Sequence, residues 1–96
     1  MVSIIAEVKV KEGKMDEAKE VLKEMVTNIK ESEPGTLEYI PHIIAGRKFK
    51  NTILFYEKYE SEEAMKLHMA NLGKTGAKLT PLLEPGMDLK TCIEML

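Results

Sequence analysis

His42 and His68 are the only imidazoles in the chain, and an unperturbed imidazole titrates at about 6.5, closer to neutrality than any carboxylate or phenol. Acid or base chemistry therefore rests on these two residues or on a carboxylate shifted by its surroundings, with Glu57 the leading candidate. In the segment Ile53-Leu54-Phe55-Tyr56-Glu57-Lys58-Tyr59, strand alternation puts Ile53, Phe55, Glu57 and Tyr59 on one face. His68 stands one helical turn after Ala64 and one before Leu72, on the apolar side of a helix, from which it points inward. Each residue also has a plainer role open to it. His68 could be a packed histidine with a single hydrogen bond, Glu57 could pair with a lysine such as Lys9, and Phe55 and Tyr59 could be core or interface contacts. His42 reads as a solvated side chain on an edge strand.

Most familiar chemistries are excluded by what is missing. There is no GxGxxG, GxxxxGK, GxSxG or HExxH, and neither histidine has a ligand-like neighbour three or four residues on. A single cysteine, Cys92, rules out an intramolecular disulfide and a CxxC site; it reads as a small strand residue. Met15, Met25, Met65 and Met69 recur at helical spacing and read as adaptable core filling. No metal, flavin or haem is expected. Fourteen Lys and Arg against sixteen Asp and Glu, interleaved along the chain, argue against a nucleic acid partner. No apolar run is long enough to span a membrane, and the chain enters a strand pattern with no signal-peptide-like segment, so a cytoplasmic location is expected.

The elements that must position these residues follow from periodicity. Ninety-six residues, 44% hydrophobic and 31% charged, suit one soluble domain over residues 1–96. From Val2 to Val10, alternation puts Ile4, Ala6, Val8 and Val10 on one face of a first strand. Met15, Ala18, Leu22, Met25 and Ile29 define a first helix from about Lys14 to Ser32, ended by Pro34-Gly35. Leu37 to Ile44 forms a second strand that Pro41 confines to a sheet edge. A connection through Ala45 to Asn51 leads to a third strand, Thr52 to Tyr59, antiparallel to the second. Ser61 caps a second helix expected to reach Leu72, Gly73 punctuates it, and a shorter helix resumes through Ala77, Leu79 and Leu82. Pro85-Gly86 precedes a fourth strand, Met87 to Met95. The order fits a ferredoxin-like, split βαβ, α+β fold with both helices on one face of an antiparallel four-stranded sheet. The other face is bare, and a homodimer packed sheet to sheet is the expected cover.

Four segments, in order and spread over nearly the whole chain, carry a resemblance. The opening Ile4-Ile5-Ala6-Glu7-Val8-Lys9-Val10-Lys11-Glu12-Gly13-Lys14, the junction Glu33-Pro34-Gly35-Thr36-Leu37-Glu38-Tyr39, the strand Leu54-Phe55-Tyr56-Glu57-Lys58-Tyr59, and Ser61-Glu62-Glu63-Ala64 leading to His68 resemble the antibiotic biosynthesis monooxygenase family. The resemblance implies a dimeric ferredoxin-like α/β barrel with a pocket between sheet and helices in each protomer. It also implies oxidation of quinols or polycyclic phenols by molecular oxygen with no cofactor. Such a reaction draws its electrons from the substrate, so it needs an apolar cavity, a proton acceptor and donors that hold the anion. His68 and Glu57 are the catalytic candidates, and Ile4, Ala6, Val8, Phe55, Tyr59 and Met65 the substrate-binding ones. The chain departs from the family in two places: it has Tyr59 where many members carry Trp, and Asn71-Leu72-Gly73-Lys74 where many have a short SPH-like turn. Val8, Tyr59 and Ala77 stand where the haem-degrading branch of the same fold has Asn, Trp and His, which disfavours haem cleavage. A non-catalytic dimeric module that binds a small aromatic or metabolite in the same pocket is the alternative.

Overall fold

The computed structural model describes all residues, 1–96. Strand β1 (Val2–Lys9) leads through a turn at Gly13, whose φ of +79° suits glycine, into helix α1 (Met15–Ser32). Ala18, Leu22, Met25 and Ile29 are its buried stripe, and Asp16 and Glu17 complement the positive end of its dipole. Strand β2 (Thr36–Ile43), a 3-10 turn at Arg47–Phe49 and strand β3 (Thr52–Tyr59) follow. Ser61 Oγ accepts the Ala64 N–H and starts helix α2 (Glu62–Thr75). Strand β4 (Asp88–Ile93) completes the sheet, in the antiparallel order β2-β3-β1-β4 with β2 at an edge. The ferredoxin-like fold expected from periodicity is the one present.

Local details differ from the expectation. Helix α2 runs straight through the exposed Gly73 and ends at Gly76, whose N–H donates to Leu72 O. A glycine inside a helix costs about 1 kcal/mol relative to alanine, too little to break a helix whose ladder continues on both sides. Beyond it stands a 3-10 turn at Thr80–Leu82 in place of the expected α-helix. This segment joins the end of β1: Lys11 N–H donates to Leu82 O, and Glu84 N–H to Lys9 O.

The core lies between the sheet and the helices, where Ile4, Ala6 and Val8 of β1, Val10 just beyond it, and Ile53, Phe55 and Tyr59 of β3 meet the buried stripe of α1. Phe55 is therefore a core residue and not part of the bare face. That opposite face carries an apolar row crossing three strands, Ile40, Tyr56 and Ile5, which pair in register. Ile5 and Ile40 are 39% and 40% exposed.

One close approach sets the position of the α1–β2 turn. A Cβ on Gly35 would stand 2.6 Å from Ala64 Cβ, inside contact distance, so the turn lies directly against α2. Glu60 N–H donates to Gly35 O from the end of β3 and fixes the same contact. The residue that the turn carries toward α2 is Glu33.

Candidate functional site

Alternation on β3 brings Glu57 and Tyr59 side by side on the helix-facing side, and the Tyr59 O–H donates to Glu57 Oε1. From the cap at Ser61, α2 turns Ala64, His68 and Leu72 toward the sheet, and His68 alone of its residues is fully buried, at 1% exposure. Its Nδ1 lies at hydrogen-bond distance, 2.8 Å, from Glu33 Oε1, while Nε2 lies 3.7 Å from Glu57 Oε1. The Thr36 hydroxyl donates to the same Glu33 oxygen at 3.0 Å. The imidazole is flanked by two phenol rings, Tyr39 at 5.2 Å and Tyr59 at 5.5 Å between centroids. An imidazole is thus held between two buried acidic side chains, in a chain of contacts that runs Glu33, His68, Glu57, Tyr59.

Burial pushes the Glu57 carboxyl up from its ordinary value, outweighing the Tyr59 hydrogen bond and the charge of His68, which pull it down. Burial likewise raises the phenols of Tyr39 and Tyr59, with the Glu57 carboxylate adding to both. A carboxyl raised by folding binds its proton more tightly in the native state, so its contribution to stability is complete in acid and is lost as pH rises through the raised value. Glu57→Gln is neutral at every pH and keeps an oxygen for the Tyr59 O–H. Thermal melts should show this variant above wild type at alkaline pH, with the gap closing toward pH 4.5, the ordinary carboxyl value. A gap that widens in acid would contradict the assignment.

His68 and Glu57 line a cavity of about 90 Å³ between the sheet and α2, together with Tyr39 and Thr80. Ala6, Val8 and Phe55 form its sheet wall, and Met25, Met69 and Leu79 close it from the helical side. Met87 and Leu89, both about half exposed, mark its outer end. Five of the residues singled out from the sequence, Ala6, Val8, Phe55, Glu57 and His68, meet here. Ile4, Tyr59 and Met65 lie outside the wall: Ile4 is buried in the core opposite Glu57, Tyr59 reaches the site through its bond to Glu57, and Met65 packs on the rim of the core. Lys9 points to the other side of the sheet and leaves Glu57 to Tyr59. His42 is exposed, with Nδ1 3.0 Å from Ile40 O. It lines a larger open groove of about 660 Å³ between α1 and β2, which holds none of the buried titratable groups.

Glu33 is the site residue that sequence reasoning passed over as part of a turn. A signal was present, because an acid at the C-terminal end of a helix opposes the helix dipole and needs another reason to be there. No group of three or more His, Cys, Asp or Glu side chains is arranged to hold a metal ion. No helix is long and apolar enough to cross a membrane.

Residues 1–72 match the model of the antibiotic biosynthesis monooxygenase family, and the chain belongs to that family. Solved structures show the same fold. A candidate antibiotic biosynthesis monooxygenase from Caulobacter crescentus superposes with a TM-score of 0.81 at 23% identity, covering 97% of this chain and 90% of its own. A structure described as an antibiotic biosynthesis monooxygenase gives 0.81 at 17% identity with both chains fully covered. A conserved protein from Methanosarcina mazei gives 0.78 at 15%, covering 95% of this chain and 89% of its own. No curated protein sequence matches the chain.

Proposed function

We propose that this protein is a homodimeric, cofactor-independent monooxygenase that oxidises a small quinol or polyphenol with molecular oxygen. The observation that carries the reading is the buried imidazole of His68 lining a mostly apolar cavity beside Glu57; family membership supports the reaction class. A quinol in the cavity would give its hydroxyl proton to His68 Nε2, breaking the O–H bond and leaving an electron-rich anion. The raised Glu57 carboxyl, in its protonated form, is a donor for that oxyanion. The anion then reduces oxygen directly, and overall one quinol and one dioxygen give one hydroxyquinone and one water, with every electron supplied by the substrate.

Cavity size narrows the substrate. Ninety cubic ångströms is well below the dry cavity of about 150 Å³ known to take benzene. A single ring enters only if the flexible Met25, Met69 and Met87 yield, and a fused pair of rings demands far more. An oxygen electrode with a panel of hydroquinones tests this: uptake by the metal-free protein is expected, with one-ring substrates favoured over naphthohydroquinone by about tenfold or more in kcat/KM. Binding without uptake across the panel would indicate a binding module instead, and a stoichiometric flavin or Soret band in the purified protein would overturn the cofactor-free reading.

A further inference from the structure

Glu33 lies outside the cavity wall, yet its carboxylate is 97% buried and both of its hydrogen bonds converge on a single oxygen, Oε1, from His68 and Thr36. Its other oxygen, Oε2, is buried with no protein partner. A buried carboxylate kept only to pin two elements together would be expected to use both oxygens, because an unsatisfied buried acceptor costs about 1–3 kcal/mol. The steric demand at Gly35 adds to the point: the turn is pressed so close to α2 that no side chain fits there, and the effect is to deliver Glu33 to His68.

We infer that Glu33 is a positioning residue for His68, fixing the tautomer of the imidazole and facing the charge it acquires. With Nδ1–H committed to Glu33, the lone pair of the neutral ring must sit on Nε2, the nitrogen on the side of Glu57, which lines the cavity with His68. When Nε2 takes a proton from a bound hydroxyl, the substrate O–H bond breaks, an N–H bond forms, and the imidazolium meets the Glu33 carboxylate at hydrogen-bond distance. The groups facing the ring from each packed element are Glu33 of the α1–β2 turn, Thr36 (through Glu33) and Tyr39 of β2, and Glu57 and Tyr59 of β3. Among them only Glu33 makes a direct hydrogen bond to the imidazole. The inference rests on the reading of His68 as proton acceptor, but the tautomer can be observed with no substrate present.

The test uses the full chain with isotope-labelled histidine, read by NMR in alkaline buffer, together with oxygen uptake on an active hydroquinone. Wild type and Glu33→Gln, which keeps an acceptor oxygen, are expected to carry the His68 proton on Nδ1. Glu33→Leu should move most of it to Nε2. In turnover, Glu33→Leu should lower kcat by about 100-fold and Glu33→Gln by about tenfold, with KM within about twofold of wild type. An unchanged tautomer in folded Glu33→Leu overturns the inference, as does wild-type kcat in either variant. Should Glu33→Leu not fold, wild-type kcat in Glu33→Gln overturns it alone. If wild type oxidises no quinol, the proposed reaction fails, and the tautomer still decides the role of Glu33.

Discussion

Replacing His68 with alanine lowers oxidation of an active hydroquinone by about 100-fold or more if the imidazole is the general base. Alanine also strips Glu33 of its partner, and breaking a buried pair costs about 3–5 kcal/mol, so loss of activity could be confused with loss of fold. His68→Asn separates the two. Its amide NH₂ occupies the place of Nδ1 and still donates to Glu33, but it has no basic nitrogen for Nε2 to become. The expected outcome is a folded His68→Asn protein with the same deep loss of turnover, measured by oxygen uptake beside a thermal melt. His42→Ala should leave turnover unchanged, because that ring is exposed on the edge strand and away from the cavity. Full activity in His68→Asn would return His68 to a packing role and leave Glu57 as the next acceptor.

A second large effect distinguishes the two faces of the sheet. Phe55 packs at 4% exposure against Tyr39 and the helices, with ring centroids 5.6 Å apart. Phe55→Asp buries a carboxylate with no partner, which costs several kcal/mol against a total stability of about 5–15 kcal/mol. Unfolding is expected, visible as loss of the near-ultraviolet circular dichroism signal. Tyr56 is its neighbour in sequence but faces the other way, in the row with Ile5 and Ile40. Tyr56→Glu should therefore leave the fold intact and, under the proposed sheet-to-sheet dimer, yield a monomer in sedimentation at micromolar concentration. A wild-type protein that sediments as a monomer would remove the dimer from the account, and a folded Phe55→Asp would contradict the placement of the core.

These two residues also show what periodicity makes legible. Alternation in β1 and β3 predicts which side chains share a face, and Ile4, Ala6, Val8, Phe55, Glu57 and Tyr59 do share one. It does not say which face the helices cover, because Ile5, Leu54 and Tyr56 make the other face nearly as apolar; hence Phe55 could be read as an interface residue until the layers were seen. The continuation of α2 through Gly73 was hidden for a different reason, since a modest local propensity penalty is overridden by the helix around it. Placing His68 inward needed only its spacing from Ala64 and Leu72. Its partner Glu33 is thirty-five positions away in sequence, and only the tight contact of Gly35 with Ala64 brings it there. Pair distances of that kind arise from tertiary packing and leave no period in the sequence.

The fate of dioxygen tests the central claim most directly. Purified protein, shown free of metal and flavin, is supplied with a one-ring hydroquinone under heavy-oxygen-labelled dioxygen, and the product is analysed by mass spectrometry. The account predicts a hydroxyquinone carrying one labelled oxygen, with the second labelled atom in water and the reaction abolished in His68→Asn. Plain quinone with no labelled oxygen, formed at the same rate by wild type and His68→Asn, would contradict it.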